Sequence, residues 1–150
     1  MLQTVQDNIY ETVTIAGASP GAGASFSSPI GDNSRRLLIS LDVTLTTAAV
    51  AGNRLLFIAI NRTGGINIFA AIAPTVQIIS TVHQYQFQTH SPATTAGTVG
   101  TTTLFQRTGI SPLLWLEPAE QFEIDVGAMN ALDALTAINY TILRQLLPNT

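Results

Sequence analysis

The sequence predicts an all-β fold: a jelly-roll-like antiparallel β-sandwich of about eight strands with an extended N-terminal arm. Three observations predict it. From Arg36 to Thr46, Leu37, Ile39, Leu41, Val43 and Leu45 alternate with Ser40, Asp42, Thr44 and Thr46. That period of two turns one row toward a core and one toward water. Leu55 to Ile60 is apolar at nearly every residue, as a strand covered on both faces would be. Turn-forming residues punctuate the remaining short apolar runs, and no helical pattern is long enough to compete.

Taken in order, residues 1–8 read as a polar arm with Leu2 and Val5 as its apolar side chains. A first strand spans Ile9 to Ala16, with Val13 and Ile15 on one face. Residues 17–34, GASPGAGASFSSPIGDNS, form a long Gly/Ala/Ser/Pro-rich loop. Loops of this length are usually functional or ordered by a partner. Residues 1–35 therefore divide into arm, strand and loop, and 36–150 make the sandwich body of a single domain. The two runs from Arg36 to Ile60 are expected to be neighbouring antiparallel strands, joined through TAAVAGN, with Gly52-Asn53 reversing the chain.

Asn61 to Gly65 reads as a turn leading into a strand over 66–71, which Pro74 ends. Val76 to Phe87 is a further strand region, with His83, Tyr85 and Phe87 on the inner side because aromatic side chains bury large areas. Residues 89–103 read as a second long polar loop. Leu104-Phe105 is a short strand or anchor, and PLLWL (112–116) places Trp115 in a buried run before the acidic turn EPAEQ. Phe122, Ile124 and Val126 alternate with Glu123 and Asp125. GAMNALDAL is a loop or one helical turn, and Ile138, Tyr140 and Ile142 mark a closing strand reaching toward Leu146.

The 150 residues are 46 % hydrophobic but only 10 % charged, against roughly 25 % in an average soluble domain. There is no lysine; all six basic residues are arginines. A surface so poor in charge gives little mutual repulsion and suits a chain whose faces are covered by neighbours. The net charge of −3 supplies no clustered cations for nucleic acid. The absence of cysteine excludes disulfides and thiolate metal sites. No basic-then-apolar leader opens the chain, and no apolar run approaches membrane-spanning length.

Catalysis needs titratable groups gathered in a defined geometry, and few are offered. His83 lies mid-strand among apolar residues, as a core histidine does, and His90 falls in a loop. Glu117, Glu120, Glu123 and Asp125 read as solvated carboxylates: Glu123 and Asp125 share the outer face of one strand, and Glu117 and Glu120 flank a turn. No serine sits in a nucleophile elbow. No catalytic, cofactor-binding or metal-ligating residue is expected, and no cofactor.

DVTLTTAAVAGNRLLFIAI followed by a glycine turn, then STVHQYQFQ, then PLLWLEPAEQFEIDV, resembles the small jelly-roll decoration, or cement, proteins of tailed bacteriophages. The resemblance covers roughly residues 36 to 146 and rests on strand-and-turn patterns. Glu120 departs from it, standing where the returning turn would carry glycine. The resemblance implies a homotrimer on the outer capsid surface of a virion that bridges major capsid proteins; from charge and hydropathy, neither nucleic acid nor membrane is expected as a partner. Lysine-free strand edges, open to pairing, agree with such assembly, and Leu2 and Val5 are the candidate assembly contacts. The alternative is a tail or fibre module that binds a host carbohydrate, since jelly rolls serve both roles.

Overall fold

The computed structural model describes residues 9–29, 33–74, 76–89, 94–99, 103–110 and 115–147. Its eleven strands are β1 (Tyr10–Ala16), β2 (Phe26–Ser27), β3 (Ser34–Thr46), β4 (Leu55–Arg62), β5 (Ile66–Ile72), β6 (Val82–Thr89), β7 (Thr94–Val99), β8 (Thr103–Ile110), β9 (Trp115–Leu116), β10 (Gln121–Gly127) and β11 (Ala134–Leu146). One sheet runs β1-β11-β3-β6-β8-β7, with β9 also on β3, and the other runs β2-β10-β4-β5. When β7, β8 and β9 are set aside, the remaining strands fall in jelly-roll order, β1-β11-β3-β6 facing β2-β10-β4-β5. The expected sandwich is therefore present, with three strands inserted between β6 and β10.

Three readings of the central stretch change. β3 and β4 are not neighbours: β3 pairs with β11 and β6, and β4 pairs with β10 and β5. The connection between them crosses the end of the sandwich instead of closing a hairpin. Within β3 the alternation slips at a bulge opposite Thr141–Ile142. An extra residue there reverses the phase, so Leu38 faces the core at 4 % exposure, while Leu37 and Ile39 remain half-buried. In β4 the burial alternates over its first half and becomes continuous only over Ile58–Ile60.

The supposed loop over 89–103 contains β7, which forms an antiparallel ladder with β8. Its threonines are β-branched, and on a pleated surface that chemistry favours a strand as readily as polarity suggests a loop. β8 itself runs parallel to β6, an exception to the otherwise antiparallel pairing. Before β6, residues 76–81 are not a strand; only Gln77 makes a ladder-like bridge, to Arg54. The segment after β10 is a turn, not a helix.

The core lies between the sheets. Phe26, Phe122 and Tyr140 pack at ring-centroid separations of 5.0–6.1 Å. His83, Tyr85 and Phe87 are buried on one face of β6, as their alternation predicts. The 17–29 segment is held by its own chain. Phe26 enters the core, Gly17 N–H donates to Ile138 O at 2.8 Å, and Ser28 N–H donates to Phe122 O at 2.9 Å. The described part of this Gly/Ala/Ser/Pro-rich segment is thus anchored on β10 and β11 of its own chain.

Candidate assembly surface

One end of the sandwich is built on Arg54, the residue directly before β4. A guanidinium carries donors in a fixed fork, and taking it out of water is costly unless each finds an acceptor. Here Nε donates to Asp133 Oδ2 at 2.8 Å and Nη2 to Oδ1 at 3.3 Å, while Nη1 donates to the carbonyls of Val50 at 2.8 Å and Gly52 at 2.5 Å. Both side chains are sealed, at 1 % and 0 % exposure. The Asp133 carboxylate also accepts from the backbone N–H groups of Ala48 at 2.8 Å and Asn130 at 2.7 Å. Burial by itself would raise its pKa. The hydrogen bond from Arg54, those two N–H groups and the arginine charge outweigh that, holding it below the ordinary value of 3.8.

The pair ties together four segments distant in sequence. Arg54 exchanges backbone hydrogen bonds with Gln77, and Gly23 N–H donates to Asp133 O at 2.7 Å. Gly23 has φ +70°, and a Cβ there would lie 2.7 Å from the Ala131 Cα, so no larger residue fits. Thr47 adds a link by donating from Oγ1 to Ile78 O at 2.6 Å.

On these tied loops large apolar side chains stand in solvent: Val50 at 44 %, Val76 at 46 %, Ile78 at 58 %, Ile79 at 40 % and Leu132 at 69 % exposure. Single exposed apolar residues are ordinary; several on loops tied to one ion pair make this end the candidate interaction surface. Sequence reading missed this end altogether. The available signal was an arginine placed directly before a wholly apolar run, together with the only acidic residue in the loop after β10.

The residues weighed for chemistry are scattered through structural contacts. Glu117 pairs with Arg35 at 2.8 Å, Glu123 accepts from Asn61 at 2.9 Å, and Asp125 accepts from Ser25 at 2.7 Å. Glu120 is not solvated: it is 4 % exposed, pairs with Arg62 at 2.9 Å and accepts from Glu117 N–H. Its carboxylate closes the turn by accepting from Glu117 N–H. Trp115 is half-buried, with Arg35 lying 5.6 Å from its ring centroid, so it is not sunk in the core.

His83 is a core histidine. Its Nδ1 lies 3.0 Å from Gln106 Nε2 and 3.4 Å from the Tyr85 hydroxyl, which donates to Gln77 Oε1 at 2.9 Å. Accepting from Gln106 at Nδ1 assigns the ring proton to Nε2, which has no partner among the described residues. Burial lowers the His83 pKa from 6.5 and raises that of Tyr85. No group of three His, Cys, Asp or Glu able to hold a metal occurs among the described residues. His90, Leu2 and Val5 lie outside the described residues.

Where the described chain begins, Ile9 O accepts from Leu146 N–H at 3.0 Å, and Tyr10 pairs with Gln145. That is the Ser34 end of β3, whereas Arg54 and Asp133 lie at its Thr46 end. β3 has 13 residues, which at about 3.3 Å each separates the two ends by roughly 40 Å.

No protein-family model matches the sequence, and no curated protein matches it. Among solved structures the chain is similar to one from the structure of infectious bursal disease virus, Gx strain, at 12 % identity and a TM-score of 0.37, covering 94 % of this chain and 33 % of that one. A chain from the Gt strain of the same virus gives 13 % identity and a TM-score of 0.34, covering 93 % and 31 %. This protein thus spans about a third of the viral chains it matches.

Proposed function

We propose that this protein is a virion structural protein: a decoration, or cement, subunit on the outer surface of a capsid that bridges neighbouring major capsid proteins. The observation that carries the reading is the apolar end, where Ile78 and Leu132 stand exposed on loops locked to the buried Arg54–Asp133 pair. Such loops cannot fold inward to hide these side chains, so their burial falls to a partner. The jelly-roll order is a fold in which capsid domains occur, though the fold alone does not decide function. A charge-poor, lysine-free composition favours dense packing among neighbours.

Bridging needs two contacts on one subunit. In this reading the apolar loops supply one, and the N-terminal arm supplies the other through Leu2 and Val5, departing from the opposite end roughly 40 Å away. Contacts of modest strength repeated over a shell add up. The role is mechanical, with no reaction and no cofactor. A homotrimer is the stoichiometry a three-fold docking position would demand, and it competes with the two-fold contact argued below. Glycan binding is the weaker reading: sugar recognition wants a free aromatic face, and Arg35 lies over the ring of Trp115.

The test uses purified capsids lacking this chain. The full protein should be retained after washing, and Ile78→Asp combined with Leu132→Asp should keep its melting temperature but wash off. Equal retention of the folded double variant overturns the proposal.

A further inference from the structure

β1 is the long, regular open edge among the described strands. β2 has only 2 residues, and the two other sheet-edge strands, β5 and β7, each carry a register irregularity, a device that blunts edges. β1 pairs with β11 without interruption from Tyr10↔Gln145 to Ala16↔Asn139. Its sequence, YETVTIA, has no lysine or proline guard. Its one charge, Glu11, is already paired with Arg144 in the same chain.

The direction of the free groups can be worked out. Ile9 O accepts from Leu146 N–H, and Gly17 N–H donates to Ile138 O. Antiparallel ladders bond at alternate residues, so the odd-numbered residues of β1 bond to β11. Tyr10, Thr12, Thr14 and Ala16 therefore turn their N–H and C=O groups to the open side. A cleft of about 430 Å³ lies at the Ala16 end, lined by Ile15, Gly17, Phe26, Pro29 and Tyr140 among others. At the opposite end of the strand Ile9 stands 58 % exposed.

We propose that β1 pairs with β1 of a second copy of this chain across a two-fold axis, each Ile9 entering the partner copy's cleft. Antiparallel pairing about an axis normal to the sheet places Tyr10 opposite Ala16 and Thr12 opposite Thr14. That register gives every free β1 group a partner. It sets threonine against threonine on the outer face, a favourable cross-strand pair. Val13 meets its own copy on the axis. Ile9 comes opposite Gly17, whose missing side chain would have pointed toward Phe26 and Ile138. An exposed apolar residue at one end of the strand and an apolar cleft at the other are brought together twice by one operation, as an isologous contact requires. This contact does not rest on the virion reading and can fail without it.

Native cysteine is absent, so single-cysteine variants of the full chain read the register directly. Val13 should sit at a non-hydrogen-bonded position with Cα atoms about 4.5 Å apart, within disulfide reach. Under mild oxidation Val13→Cys should give a disulfide-linked dimer, and Ile15→Cys, displaced from the axis, should not. Sedimentation should find a dimer for the unmodified protein. Thr14→Pro removes an N–H that the internal ladder does not use and should weaken dimerisation about tenfold or more, equivalent to about 1.4 kcal/mol. If that variant does not fold, Ile9→Asp, which leaves the Ile9 O bond to Leu146 N–H in place, should weaken dimerisation in the same direction. A monomer, a trimer, equal cross-linking at Val13 and Ile15, or a dimer indifferent to a folded Thr14→Pro or Ile9→Asp variant each overturns the proposal.

Discussion

Arg54 and Asp133, 79 positions apart in the chain, form a bidentate ion pair from which water is excluded. Removing one partner leaves the other charge buried and uncompensated. Asp133→Ala should destabilise the protein by about 3–5 kcal/mol in denaturant unfolding. Replacing both residues with apolar ones of similar size should cost less than the sum of the single changes, the signature of a coupled pair.

The same pair sets an acid limit. The Asp133 carboxyl titrates below 3.8 in the folded protein, so the unfolded chain takes up its proton first as pH falls. The stability the pair contributes is complete above the ordinary carboxylate range and is lost as pH drops through the depressed folded value. Acid unfolding followed by circular dichroism should show this loss, and the double apolar replacement should lack it.

His83 acts in a different window. Its folded pKa is lowered from 6.5 by burial; the unfolded chain binds a proton below that pH while the folded protein resists it. Stability should therefore decline as pH falls through 6.5 and level off once the buried ring is protonated. Melting temperatures measured from pH 7 to 5 should fall for the native chain and stay flatter for His83→Phe.

Much of the architecture was legible because it is local. The rows Leu41, Val43, Leu45 and Phe122, Ile124, Val126 announce their own strands, and the core face of β6 follows from His83, Tyr85 and Phe87. What failed is what depends on distant pairing. The bulge that turns Leu38 inward is set by β11, β3 and β4 are separated by a crossing no nearby residue marks, and β7 becomes a strand because β8 lies beside it. The Arg54–Asp133 site was missed for the same reason: each residue is conspicuous in its own segment, but nothing local joins it to a partner 79 positions away.

Ala137 adopts φ +48° at the irregularity in β11 and is exposed. A left-handed conformation costs a non-glycine residue about 1–2 kcal/mol. Ala137→Gly should recover roughly 1 kcal/mol and raise the melting temperature, because no buried contact is lost. An unchanged or lower value would mean that the bulge is not strained.

Deletion of residues 1–6 removes Leu2 and Val5 while leaving β1 intact. The truncated protein should melt as the full chain does but be retained less well on purified capsids. Equal retention would remove the arm from the bridging role.

The strand order also dictates a schedule. Among the described strands β1 finds its ladder only on β11, and β11 is the last of them to leave the ribosome. Until then the side of β3 that β11 will occupy is bare, and the edge of β1 has no sheet to belong to. Pairings so remote in sequence are slow to form, on a millisecond-to-second scale for all-β domains. In the two-fold pairing proposed for β1, the self-pairing edge is therefore not presented until β11 has docked.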